Sequence, residues 1–213
     1  MDWSKGDGGV MRSLTRIFFF GLVFGLFFRL PSGSLHAAEH SSKHSAEHST
    51  VHPAGQSTEH AAEVKDILNF HTIEDGLATA GQLLPEHVAA VVEADIELVV
   101  NLATASEERN ATEGFLLTSE GISYVQIPVL WEQPTAEDLQ LFFAVMDARG
   151  DRNTLVHCFA NYRASAFTYL YRVLRLGVDE VEARKGLEVV WSDEAFSESP
   201  QWRLFINEQL DQR

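Results

Sequence analysis

The segment Thr154-Leu-Val-His-Cys-Phe-Ala-Asn-Tyr-Arg163-Ala-Ser165 holds the single cysteine of a 213-residue chain, with an arginine five positions after it. A thiolate is a strong nucleophile, and a guanidinium is a planar fork of donors that matches the oxygens of a phosphoryl group. The pair therefore points to chemistry on a phosphate. Cys158 is the expected attacking group and Arg163 the expected clamp. Phe159, Ala160, Asn161 and Tyr162 are the expected lining of the cradle, and Ser165 is placed to donate to the thiolate as it leaves. None of these roles calls for a metal or an organic cofactor.

Residues with these roles need a rigid frame. Thr154 to His157 reads as a short buried strand and Ala164 to Leu176 as a helix, so Cys158 to Arg163 becomes the turn between them. Such a turn aims backbone N–H groups and a helix N-terminus into one concavity, which favours an oxyanion and the thiolate form of a cysteine placed there. Asn161 suits the middle of the turn, because asparagine is among the few residues that tolerate left-handed backbone. Elsewhere the pattern predicts strands at Ala78 to Gly81, taken as an edge strand, at Ile96 to Leu102 and at Tyr124 to Ile127. Predicted helices cover Glu86 to Ala94, Ala111 to Glu120, Ala136 to Arg149, Asp179 to Val190 and Pro200 to Leu210. Strands alternating with helices imply an α/β fold with a mostly parallel central sheet of about four to five strands flanked by helices, with C-terminal helices added, and ligands at the carboxyl ends of strands.

From roughly Phe70 to Leu176 the chain resembles the cysteine-dependent protein tyrosine and dual-specificity phosphatases, especially their beta-lactamase-hydrolase-like bacterial branch. Four landmarks of that branch occur in order: Gly81-Gln82, Asn101-Leu102, Ile127-Pro128-Val129 and Val156-His157-Cys158. The resemblance implies a phosphatase-like fold and a phosphocysteine intermediate. It also implies an acid on the loop after the preceding strand, which protonates the leaving group and then deprotonates water. Two features depart from the family pattern. Four residues rather than five separate Cys158 from Arg163, so either the loop has lost a residue and Arg163 keeps its role, or Ser165 holds the family's Ser/Thr place and Ala164 fills the arginine slot. Leu130 and Trp131 stand where an Asp is expected, which leaves Glu132 as the nearest substitute. Glu137 and Asp138 instead read as first-turn residues of a helix capped by Thr135.

Arg109, in Ser106-Glu-Glu-Arg-Asn110, follows the Asn101-Leu102 strand end on the same rim. It reads as an ordinary solvated arginine, with binding of a second phosphate or a substrate carboxylate as the other reading. His157 reads as a structural residue that braces the loop. Phe159, Tyr162 and Trp131 would form an apolar rim suited to an aromatic phosphate.

The amino-terminal 38 residues stand apart. Lys5, Arg12 and Arg16 precede an apolar stretch from Ile17 to Phe28, followed by Pro31 and an Ala37-Ala38 pair, the order of a secretory signal peptide. The expectation is a cleaved signal and a periplasmic or secreted protein. An uncleaved membrane anchor is the alternative, although the stretch is shorter than the about 20 residues a spanning helix needs. The whole chain has 16 basic and 31 acidic side chains and a net charge of −15. Without Lys5, Arg12, Arg16, Arg29, Asp2 and Asp7 it has 12 basic against 29 acidic, a net charge of −17. A surface this acidic excludes nucleic acid as a partner. It also demands a local basic pocket for any phosphate substrate, whether a phosphorylated protein or a small phosphate ester.

His36, His40, His44, His48 and His52 recur at every fourth residue in a Ser-, Ala- and Glu-rich tract, with His60 beyond. The composition predicts a disordered linker over residues 39–65 with weak divalent metal binding as an accessory property. Residues 66–213 are then the catalytic domain, long enough for one core. Two other functions fit the cysteine: a phosphate-binding pseudophosphatase module, in which the shortened loop captures an anion without turnover, and a rhodanese-like sulfurtransferase.

Overall fold

A computed structural model describes residues 62–212. The predicted signal segment and nearly all of the histidine-rich tract lie outside the described residues. The chain enters a hairpin in which β1 (His71–Glu74) pairs antiparallel with β2 (Leu77–Ala80). The turn between them needs Gly76, whose φ of +74° is left-handed. Every other pairing is parallel: β2 with β5 (Thr154–His157), β5 with β3 (Leu98–Asn101), and β3 with β4 (Ser123–Gln126). The resulting order is β1-β2-β5-β3-β4.

This corrects one expectation. The Ala78 to Gly81 region is not an edge; all four residues of β2 are buried, and the edge is β1. The mixed polarity of His71-Thr-Ile-Glu74 hides that strand from a pattern reading, because an edge strand needs to bury only part of one face. The consequence matters for the site: β5 is the central strand, so the residue that follows it lies at the middle of the sheet's carboxyl end.

Helices cover both faces. On one lie α1 (Val88–Glu93), entered through a 3-10 turn at Pro85–His87, and α2 (Glu113–Ser119). Val91 and Leu117 of these helices pack with Ile67, Ala78, Ala80, Val99 and Leu155. On the other face lie α3 (Ala136–Asp147), α4 (Tyr162–Leu174), α5 (Glu180–Glu188), α6 (Asp193–Glu198) and α7 (Pro200–Leu210). They enclose Leu77, Leu98, Val100 and Val156 together with Phe142, Phe167, Tyr169 and Trp202. Alternate residues of the four parallel strands thus feed opposite cores, the signature of a sheet buried on both faces. Each fully buried large apolar side chain contributes about 1.5–3 kcal/mol.

Local signals set the helix starts. Thr135 accepts from the Asp138 N–H at 3.1 Å and caps α3, as its place before two acidic residues predicts. Asp179 caps α5 and Ser192 caps α6 in the same way, and Pro200 opens α7 at a position where its missing N–H is not needed. Among the described residues no helix is long and apolar enough to cross a membrane.

Candidate active site

Cys158 follows β5 directly, is 1% exposed and packs within the larger core. Its N–H donates to the Ala80 carbonyl at 3.3 Å, and Gln82 N–H donates to the Phe159 carbonyl at 3.2 Å, so the start of the loop is tied to the end of β2. Gly81 lies between these contacts. A Cβ there would sit 2.8 Å from the Leu68 carbonyl oxygen, so only glycine allows the approach.

Asn161 precedes α4 with φ +69°, the left-handed backbone expected of it. Its side chain is fully buried and donates to the Asn69 carbonyl at 2.6 Å and to Thr79 Oγ1 at 3.0 Å. The Ser165 hydroxyl reaches the Asn161 carbonyl at 2.8 Å and the Tyr162 carbonyl at 3.1 Å, and so braces the first turn of α4. Ser165 N–H closes the helix's first bond onto Asn161. Among the described residues no backbone carbonyl accepts from the amides of Phe159, Ala160, Tyr162, Arg163 or Ala164. That leaves a row of donors at a sheet-to-helix turn, the arrangement that holds an oxyanion.

Arg163, in the first turn of α4, is 5% exposed. Its Nη1 donates to the Val129 carbonyl at 2.9 Å, its guanidinium carbon is 5.2 Å from the centroid of the Phe159 ring, and its buried Nε has no partner. No carboxylate among the described residues pairs with it. Arg109 approaches the same ring, with its guanidinium carbon 4.6 Å from the centroid. The expectation of an ordinary solvated arginine is therefore incomplete: Arg109 is exposed, but it is stacked on the cysteine loop.

Beneath the loop is a polar cluster that pattern reading missed. Glu113, in the first turn of α2, is buried; its Oε1 lies 2.8 Å from His157 Nε2 and accepts from Asn101 Nδ2 at 3.0 Å, and its Oε2 accepts from Gln82 Nε2 at 3.1 Å. The His157 contact is close enough for ion pairing but lacks hydrogen-bond alignment, and His157 Nδ1 is unpartnered. Asn101 Nδ2 also reaches the Tyr124 hydroxyl at 2.9 Å, and its Oδ1 accepts from Ala103 N–H at 2.7 Å. One carboxylate thus ties together residues at the carboxyl ends of β2, β3 and β5. Burial, followed by the charge of Glu113, pushes the Tyr124 phenol above its ordinary range. The signals that could have revealed the cluster are Gln82 and Asn101, polar residues in two of the landmarks, at strand ends where apolar residues would otherwise be expected.

Glu132 lies exposed on the loop between β4 and α3, and no hydrogen bond or ion pair to it occurs among the described residues. The loop itself is held firmly. Arg163 binds Val129, and the Trp131 carbonyl accepts from Trp202 Nε1 at 3.0 Å and from Gln201 Nε2 at 3.4 Å. The Trp131 ring lies 5.9 Å from Tyr162, 6.0 Å from Trp191 and 5.4 Å from Trp202. Phe159 and Tyr162 are half-buried, so the expected aromatic rim also packs the interior. Among the described residues no group of three or more His, Cys, Asp or Glu side chains could hold a metal ion.

A central parallel strand ending in the only cysteine, followed by free amides and a buried arginine, defines the cysteine-dependent phosphatase-like fold. A DUF442 candidate phosphatase from Shewanella putrefaciens CN-32 is 33% identical, with a TM-score of 0.61 over 68% of this chain and 90% of that one. The chain belongs to this DUF442 family. Two further solved structures share the fold: Tk-PTP in its active form, 16% identical with a TM-score of 0.55 over 68% of this chain and 97% of its own, and a Cys-to-Ser variant of P. aeruginosa TpbA in complex with phosphotyrosine, 16% identical with a TM-score of 0.51 over 66% and 91%. No protein-family model matches the sequence, and no curated protein does.

Proposed function

We propose that the chain is an exported phosphomonoester hydrolase that works through a phosphocysteine intermediate. The observation that carries this is Arg163, a buried guanidinium without a carboxylate partner beside a row of unpaired amides. A buried unpaired charge is costly, and an oxyanion supplies the missing partner. In the first step the Cys158 sulfur attacks phosphorus and the bond to the leaving oxygen breaks, with that oxygen taking a proton from Glu132. In the second, Glu132 removes a proton from water, whose oxygen attacks phosphorus; the P–S bond breaks and inorganic phosphate and the thiolate are released. Arg163 and the loop amides hold the non-bridging oxygens throughout.

The phosphotyrosine bound by P. aeruginosa TpbA, together with Phe159, Tyr162 and Trp131 around the loop, supports an aryl phosphate such as phosphotyrosine as substrate, in a protein or a small ester. Lys5, Arg12 and Arg16 ahead of the apolar Ile17 to Phe28 stretch support export to the periplasm or beyond.

The test is hydrolysis of 4-nitrophenyl phosphate by the purified chain, with and without vanadate, beside Cys158→Ser. Vanadate-sensitive hydrolysis, lost in the variant with phosphate affinity retained, supports the enzyme. A parent that binds phosphate without hydrolysing it supports the second reading, an anion-binding module, which is favoured by the short loop and by the Val129 carbonyl that already takes one Arg163 donor. Turnover of thiosulfate and cyanide without hydrolysis of the aryl phosphate would replace both with a sulfurtransferase.

A further inference from the structure

We infer that Arg109 forms a second anion subsite, so that the preferred substrates are phosphomonoesters carrying another oxyanion, a carboxylate or a second phosphate, close to the reacting phosphoryl group. The inference rests on the reading of the Cys158 loop as the phosphoryl site.

Three observations carry it. First, Arg109 and Arg163 share one aromatic ring: their guanidinium carbons lie 4.6 and 5.2 Å from the Phe159 centroid, so the two cations are no more than about 10 Å apart. Second, the backbone that presents Arg109 is built rather than loose. Gln82 Nε2 donates to the Arg109 carbonyl at 3.2 Å, and Gln82 is itself bound to the buried Glu113. The neighbouring Asn110 side chain is buried, accepts from Ser106 N–H at 2.7 Å and donates to the Thr104 carbonyl at 3.1 Å. The hydrogen-bond cluster that supports the cysteine loop therefore also sets the position of Arg109. Third, the Arg109 side chain is uncommitted in a strongly acidic chain. Glu107 and Glu108 line the same cleft of about 310 Å³, yet neither pairs with Arg109, and no carboxylate among the described residues does. An exposed guanidinium stacked on an aromatic face keeps its edge donors directed away from the ring, which is how arginine receives a planar or tetrahedral oxyanion.

The two subsites differ in kind. Arg163 is buried and holds the group that reacts; Arg109 is solvent-exposed, so its contribution is modest and salt-sensitive. It selects among substrates without entering the chemical step, and it belongs to binding rather than turnover.

The test compares phenyl phosphate with 3-carboxyphenyl phosphate, using the full chain, Arg109→Gln and Arg109→Lys. The expected result is that Arg109→Gln lowers kcat/KM for the carboxylated ester about fivefold, the upper end for an exposed ion pair. Phenyl phosphate should change less than about twofold, and Arg109→Lys should recover only part of the loss, because an ammonium restores the charge without the stacked planar fork. Equal effects of Arg109→Gln on both esters, or none on either, overturn the inference. A parent that hydrolyses neither ester refutes the phosphatase reading instead. The subsite is then judged by calorimetry with the non-hydrolysable phenylphosphonate and 3-carboxyphenylphosphonate: a preference for the carboxylated ligand that disappears in Arg109→Gln upholds it, and no preference overturns it.

Discussion

Asn69 and Asn161 are linked reciprocally across the sheet's carboxyl end. Asn161 Nδ2 donates to the Asn69 carbonyl at 2.6 Å, and Asn69 Nδ2 donates to the Ala160 carbonyl, next to Asn161, at 3.1 Å. Both hold left-handed backbone, with φ of +69° and +50°. The turn that presents the loop amides is thus locked from outside by a segment ahead of β1, and asparagine is chosen at each place because it combines that backbone with a side-chain donor.

Replacing Asn161 separates these two contributions. Asn161→Ala and Asn161→Gly both delete the side-chain bonds, but only alanine strains the left-handed backbone. Urea unfolding should place the alanine variant about 1 kcal/mol below the glycine variant. Equal stabilities would mean that the backbone relaxes out of the left-handed region.

Arg163 should trade stability for function. Arg163→Met removes a buried charge without a carboxylate partner, so the unfolding free energy should stay level or rise by about 1 kcal/mol. Hydrolysis should fall by about 10²–10³-fold, the scale of one lost oxyanion donor. In the parent, phosphate at about 100 times its Kd should add about 2.7 kcal/mol of stability, and in the variant it should add none. A variant that is both unstable and still protected by phosphate contradicts the assignment.

Glu113 should matter to stability more than any other acidic residue of the domain. Glu113→Ala leaves Asn101, Gln82 and His157 without their shared partner and should cost about 3 kcal/mol. A double-mutant cycle with Glu113→Gln and His157→Asn should show non-additivity, since the two side chains are 2.8 Å apart. Strict additivity would dissolve the coupling.

Tyr124 gives a pH signature. Its phenol is held neutral by burial and by Glu113, whereas in the unfolded chain it ionises near its ordinary 10.0. The unfolded state therefore loses this proton first. The stabilisation is complete below that pH and declines as pH rises above it. Tyr124→Phe should flatten the alkaline fall in unfolding free energy; an unchanged slope would assign the fall to other groups.

For Glu132, leaving-group dependence is decisive. Glu132→Gln should slow phenyl phosphate, a poor leaving group, by about 10²-fold and 4-nitrophenyl phosphate far less, and should flatten the basic limb of the pH-rate profile. Equal slowing of both, or none, moves the acid elsewhere.

What could be read from the sequence divides along physical lines. Thr154–His157 and Pro200–Leu210 match expectation to the residue, because a short strand centred on Leu155-Val156 and ending at the cysteine turn, and a proline-opened amphipathic helix, carry local signals. The β1 strand and α6 escaped, being short and mixed in polarity. The Cys158 turn was legible because nucleophile, left-handed asparagine and helix start are consecutive. The bracing by Glu113 was not, and the anion-binding reading of Arg109 stood second to a solvated one, since both depend on partners brought from other strand ends: a first-turn glutamate and a loop arginine look solvated until the sheet assembles around them.

With the Val129 carbonyl held by Arg163 of α4 and the Trp131 carbonyl held by Gln201 and Trp202 of α7, the stretch leading to Glu132 is anchored to two helices at once. The carboxyl-terminal helix, far away in sequence, thereby becomes part of the masonry behind the Glu132 segment.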